Sequence, residues 1–251
     1  MAKIVCKNIK FSYLDKKGKS QADVFQDFNA EFLDKKVTVL LGASGSGKTT
    51  LLNILAGLKS NYEGEILFDN VSASNLSIRD KDLSYITQKP VLYPKMTVFE
   101  NIAFPLKFTL LKQEDINKRV RDIAKTLGIE HLLTRRPKYI SYGQQQRVCI
   151  AKALIKEPSV LLLDEPFTGL DPKVKEELID LLKKSIDKFK ITAIYVTHDY
   201  HEAIKLGDLI YLLEDGAITF KGNSKELLES NNEYLKILIK ESKISRKEID
   251  G

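Results

Sequence analysis

The chain has 251 residues, of which 43 % are hydrophobic and 29 % charged, with a formal net charge of +6. This is an ordinary globular mixture, long enough for one large core or two smaller ones, and it excludes a disordered or fibrous chain. The longest purely apolar run is five residues, Leu209 to Leu213, where a membrane-spanning helix needs about 20.

The N-terminal stretch reaches Asn8 and Lys10 before any long apolar segment, so no secretory signal is expected. Cys6 and Cys149 are the only cysteines. Two cannot make a disulfide framework or a metal cluster, and both are expected as buried free thiols. Seven of the 40 basic residues are arginine. The positive charge therefore reflects a lysine-rich composition as readily as an acidic partner.

In chain order, Lys3–Cys6, Lys10–Tyr13 and Phe28–Phe32 alternate as short strands, with Leu14–Gln21 as a hairpin loop around Gly18. Val37–Leu41 reads as a buried strand and Thr50–Leu58 as a helix. Residues 61–87 return to strands and turns. From Lys89 to Ile140 the texture becomes helical, punctuated by Pro90, Pro94 and Pro105, with Lys112–Leu127 as a charged amphipathic helix. Gln144–Lys156 is predicted helical, Val160–Leu163 a strand, Lys173–Phe189 a helix, Thr192–Val196 a strand and Tyr200–Leu206 a helix. Leu209–Phe220 is a hairpin turning at Asp215-Gly216, and the tail from Lys225 is amphipathic and charged. Strands alternating with helices point to a parallel sheet covered on both faces.

Gly42-Ala43-Ser44-Gly45-Ser46-Gly47-Lys48-Thr49 fits the phosphate-loop pattern G-x-x-x-x-G-K-[ST] without a mismatch. It follows an apolar strand and opens a helix, where backbone N–H groups and the helix N-terminus can cradle phosphate oxygens. Lys48 would reach the β- and γ-phosphates, the Thr49 hydroxyl would ligate Mg²⁺, and Thr50 continues the binding segment. Val160–Leu163 ends in Asp164-Glu165. Asp164 is placed to hold the Mg²⁺ shell and Glu165 to act as general base on an attacking water. His198 ends a third apolar strand, at the sheet end where nucleotides bind in such folds, and could donate to a γ-phosphate.

These motifs, taken with Tyr13, Gln88, Ile140-Ser141-Tyr142-Gly143-Gln144 and Gly169-Leu170-Asp171, come in an order that resembles the ATP-binding subunit of ABC transporters from about Lys3 to Leu228. The resemblance implies an α/β fold. Its parts are a P-loop NTPase parallel-sheet core (residues 1–88 and 141–224), an N-terminal antiparallel β subdomain within that core, an inserted helical subdomain (89–140) and a C-terminal helical tail (225–251).

It further implies that Tyr13 stacks on adenine, with Phe11 as fallback, and that Gln88 senses Mg²⁺ and the water. Ser141, Gly143 and Gln144 would contact the γ-phosphate bound to a second copy or a homologous subunit, and Asp171 would link the two sites. The signature is usually Leu-Ser-Gly-Gly-Gln. Here Tyr142 replaces the first glycine, and its ring either crowds the opposing nucleotide or points away.

ATP and Mg²⁺ are the implied ligands. The implied partners are transmembrane permease subunits at the cytoplasmic face of a membrane, and for an importer an extracytoplasmic solute-binding protein. Val91, Leu92, Tyr93, Pro94 and Met96 are candidates for the permease dock, while Phe99, which follows them, is expected to pack the local core. Residues 89–106 are similar to importer ATPases for sugars, polyamines and oxyanions. With the sequence ending at Gly251, an importer ATPase without the strand-rich regulatory domain many of those carry is the expectation.

An exporter ATPase is the alternative. A nucleic-acid ATPase of related fold is disfavoured, because Lys48 to Ser141 is 93 positions with no heptad run or cysteine pair. A GTPase would need Asn-Lys-x-Asp, and Asn117-Lys118-Arg119-Val120 lacks the Asp.

Overall fold

A computed structural model describes residues 3–15, 20–107 and 109–237. The tip of the expected hairpin loop, including Gly18, and the end of the charged tail lie outside the described residues. The strands are β1 (Ile4–Leu14), β2 (Ser20–Phe32), β3 (Val37–Leu41), β4 (Glu63–Phe68), β5 (Val71–Ser72), β6 (Leu83–Ile86), β7 (Val160–Asp164), β8 (Thr192–Thr197), β9 (Leu209–Glu214) and β10 (Ala217–Gly222). The helices are α1 (Lys48–Leu55), α2 (Val98–Ala103), α3 (Gln113–Thr126), α4 (Tyr142–Leu154), α5 (Pro172–Phe189), α6 (Tyr200–Leu206) and α7 (Ser224–Leu228). They fall into two compact units, one of residues 1–81 with 192–251, the other of residues 82–191.

The first unit holds an antiparallel sheet in the order β2-β1-β4-β5. The two strands expected before Leu14 are one strand. Lys7-Asn8 interrupts the apolar alternation but forms an irregularity in the ladder, with Asn8 at φ 51° and the register shifting between Cys6 and Ile9. Ile4, Cys6, Ile9 and Phe11 are all buried.

Beside this sheet, β3 pairs in parallel with both β8 and β9, and β10 returns antiparallel along β9. Every residue of β3 and β8 is buried. That is why both are mostly apolar, with only the threonines Thr38, Thr192 and Thr197 between or beside the apolar residues, as suits strands covered on two faces. The outer strand β10 alternates instead. Asp215 and Gly216 both take positive φ (45° and 76°), the pair a two-residue hairpin turn requires.

In the second unit β6 and β7 pair in parallel, Leu83 opposite Val160 through Ile86 opposite Leu163. Helix α3 buries Ile116, Val120, Ile123 and Ala124, the stripe its amphipathic pattern predicts. Helix α4 packs on α2, α3 and β6 and buries most of its length. Reciprocal caps start two of these helices: Thr97 with Glu100 on α2, and Ser141 with Gln144 on α4. Among the described residues no helix is long and apolar enough to cross a membrane.

Candidate functional site

In the first unit the phosphate loop runs from the buried end of β3 into α1. Only glycine fits at two of its positions. A Cβ on Gly42 would stand 2.3 Å from the carbonyl oxygen of Leu213. Gly47 has φ +104°, with the Phe25 ring 3.0 Å from where its Cβ would be. Gly47 is also the N-cap of α1. It offers no side-chain cap, and no acidic residue stands in the first turn, so the helix itself brings no negative charge to its own N-terminus.

Lys48 is 4 % exposed. Its ammonium donates to the carbonyls of Gly42 (2.8 Å) and Ala43 (2.6 Å) and lies 3.4 Å from Ser46 Oγ. A buried cation resting on carbonyl dipoles inside a glycine-rich loop suits a phosphate. Ser44, Gly45 and Thr49 stand on the exposed side of the loop.

Thr50 is buried, and its Oγ1 lies 2.9 Å from the Tyr13 hydroxyl. Tyr13 is 37 % exposed, whereas Phe11 is 2 % exposed and meets it edge-on at 5.1 Å. Of the two aromatics proposed for stacking, only Tyr13 offers an open ring, with the Lys59 ammonium 4.9 Å from its centroid.

His198 is exposed directly after β8. Because Leu41 pairs with Thr197, the phosphate loop and His198 leave adjacent strands at the same sheet end, the ligand-binding end of such sheets. Its neighbours are fixed. The Thr197 and Tyr195 hydroxyls donate to buried Glu202 at 2.6 and 2.8 Å, and Asp199 caps α6.

In the second unit β6 and β7 end side by side, which brings Gln88 near Asp164 and Glu165. Asp164 is buried, and the Tyr85 hydroxyl donates to it at 3.4 Å. Burial, and then the neighbouring Asp164 charge, push the Tyr85 phenol up, so it stays a donor. Glu165 has φ 44°, a left-handed conformation that few non-glycine residues adopt. Its carboxylate accepts from the Thr168 hydroxyl at 3.2 Å.

The signature residues open α4. Ser141 and Gln144 form its capping box at 3.0 and 3.3 Å. Gly143 sits where a Cβ would meet Val174 at 3.0 Å. Asp171 is exposed and caps α5 through Lys173 and Val174 N–H.

The Tyr142 ring turns back along its own unit, its hydroxyl donating to the Gln88 carbonyl at 3.3 Å. Gln146 was not anticipated. It donates to the same carbonyl at 3.2 Å and to that of Pro166 at 2.6 Å. It is third in a run of glutamines and is followed by Arg147, so the local pattern does not single it out.

Among the described residues no group of three or more His, Cys, Asp or Glu could hold a metal ion unaided. The donor chemistry fits a Mg²⁺ that arrives with nucleotide phosphates and takes only a hydroxyl, an amide or a carboxylate from the chain.

A family model described as ABC transporter matches residues 25–168. A molybdate/tungstate import ATP-binding protein of Pyrococcus horikoshii is 43 % identical over 189 residues, 75 % of this chain and 55 % of that protein. The chain spans a little over half the length of the curated relatives it matches. Among solved structures, cbiO1 of Clostridium perfringens, part of the ABC transporter complex cbiONQ, superposes with TM-score 0.81 at 29 % identity, covering 97 % of each chain. An ATP-binding cassette solved as a dimer in a post-hydrolysis state, bound to ADP and Pi, superposes with TM-score 0.78 at 31 % identity over 88 % of this chain and 98 % of that one. The chain, with its P-loop NTPase fold, belongs to the ABC transporter family.

Proposed function

We propose that the chain binds and hydrolyses ATP, and that two copies, or this chain and a homologous subunit, close head to tail on two ATP molecules to drive solute import through separate membrane permeases. The observation that carries this reading is the phosphate loop with its buried lysine, emerging beside His198 at one sheet end.

In this reading Lys48 exchanges its loop carbonyls for the β- and γ-phosphate oxygens, and the first amides of α1 hold the rest. Tyr13 takes the adenine ring. Thr49, Asp164 and Gln88 would hold Mg²⁺, which supplies charge neutralisation on the transferred phosphoryl group. Glu165 accepts a proton from water as its oxygen attacks the γ-phosphorus, and the bond to the bridging oxygen of ADP breaks. His198 donates to the γ-phosphate. Ser141, Gly143 and Gln144 meet the γ-phosphate held by the other copy, and Asp171 lies in the loop joining the two sites. The dimeric relative with ADP and Pi supports both the closure and the chemistry.

The permease dock in this reading is in the second unit. A cavity of about 390 Å³ there is lined by Tyr85, Val91, Pro105, Cys149 and Lys152 among others. Val91 of its lining is exposed, as are Tyr93 and Pro94 next along the chain, and the Lys152 ammonium lies 4.5 Å over the Tyr93 ring. Import rests on the import ATP-binding relative. The chain then works as a peripheral subunit at the cytoplasmic membrane face, with cargo chosen by its partners, among them an extracytoplasmic solute-binding protein.

The test is phosphate release from ATP by the purified chain. Glu165→Gln should lower kcat by about 10²–10⁴, the usual contribution of a general base. Turnover unaffected by that change would refute the assignment.

A further inference from the structure

We propose that Tyr142 is a positioning residue for ATP hydrolysis: it holds the main chain at Gln88 and so ties the start of the signature helix to the glutamine that faces the reaction. The proposal rests on the reading of Gln88 given above and adds a residue that departs from the family signature. Its basis is a small network on one face of α4. Tyr142 and Gln146 are four residues apart, so their side chains lie one above the other on the helix. Both donate to the carbonyl oxygen of Gln88, Tyr142 at 3.3 Å and Gln146 at 3.2 Å. That oxygen has two lone pairs, and each has a donor.

The inner donor is fixed. Gln146 is fully buried, and its Nε2 also donates to the Pro166 carbonyl at 2.6 Å. Its Oε1 is buried without a hydrogen-bond partner among the described residues. The amide is held this way round because turning it over would aim an acceptor at two carbonyl oxygens. Gln146 thus joins the segment of Gln88 to the segment that follows Glu165.

Tyr142 is the outer donor, 41 % exposed and in the first turn of the helix. A glycine there would leave the Gln88 carbonyl with Gln146 alone. With tyrosine, a ligand that shifts the first turn of α4 also pulls on the peptide group that aims the Gln88 side chain. The ring that could crowd a nucleotide instead reports its arrival to Gln88.

Tyr142→Phe removes the hydroxyl and keeps the ring. Steady-state ATP hydrolysis is measured for the full chain and for Tyr142→Phe, Gln88→Ala and the double variant, with an unfolding midpoint for each. The expected result is a kcat about fivefold lower for Tyr142→Phe, the worth of one ordinary hydrogen bond. KM for ATP stays unchanged, and the unfolding free energy falls by no more than about 1 kcal/mol, equally in both backgrounds. In the Gln88→Ala background, with no side chain left to aim, Tyr142→Phe has no further effect on kcat. An unaltered kcat, or the same loss of kcat in both backgrounds, would overturn the positioning role while leaving the Gln88 reading in place. Full activity of Gln88→Ala would overturn that reading and the positioning role with it.

Discussion

Ser141 is asked to do two jobs, and its geometry allows them to be separated. Its hydroxyl accepts from Gln144 N–H at 3.3 Å as the cap of α4, while the Gln144 side chain returns a bond to Ser141 N–H at 3.0 Å. In the proposed dimer the same hydroxyl meets the γ-phosphate of the opposite ATP. Ser141→Ala loses the cap, at a cost of about 1 kcal/mol of stability. Ser141→Asp keeps it, because aspartate caps as well as serine and its charge suits the helix N-terminus.

That charge, however, would stand against a phosphate. Two like charges about 4 Å apart near a protein surface repel by about 4 kcal/mol, which is roughly a thousandfold in an equilibrium constant. Ser141→Asp should therefore match the native unfolding midpoint and lose ATP-dependent dimerisation, while Ser141→Ala loses some of each. Chemical denaturation and analytical gel filtration with ATP read the two properties independently. A Ser141→Asp protein that still dimerises on ATP would refute the phosphate contact and leave Ser141 as a cap alone.

Tyr13→Ala should weaken ATP binding by roughly 1–3 kcal/mol, the worth of base stacking, with little change in stability. Phe11→Ala should do the reverse, costing about 3–5 kcal/mol of stability as a buried aromatic does. Equilibrium nucleotide titration and denaturant unfolding of both variants decide it. The two thiols give a pH prediction. Burial pushes Cys6 up to about 12 and Cys149 up to about 11, against an ordinary value of 9.0. The folded state therefore keeps protons that the unfolded chain releases. Their stabilising contribution is full below pH 9.0 and is lost as pH rises from there, towards about 11 for Cys149 and about 12 for Cys6. Cys6→Ser with Cys149→Ser should flatten that alkaline fall in unfolding free energy, and an unchanged slope would count against it.

Much of the fold was legible because local and global signals agree. The strands β3, β7 and β8 are mostly apolar because both their faces are covered, the exceptions being Thr38, Asp164, Thr192 and Thr197. The hairpin turn declared itself through Asp215-Gly216. What was not legible depends on contacts far apart in sequence. Phe11 and Tyr13 share strand parity, so pattern alone could not rank them. Coverage buries the first, while the second sits near the strand end with an open ring. The direction of Tyr142 was undecidable because its partner is the carbonyl of Gln88, 54 residues earlier. Gln146 was passed over because a glutamine in a helix gives no hint that two distant carbonyls will need its amide.

The most direct test is the state of the chain when ATP is bound but not cleaved. Glu165→Gln, mixed with saturating Mg²⁺-ATP and passed through gel filtration with light scattering, should elute as a dimer retaining uncleaved ATP and return to monomer when nucleotide is removed. A protein that binds ATP with the same change and stays monomeric at saturation would contradict the head-to-tail sandwich.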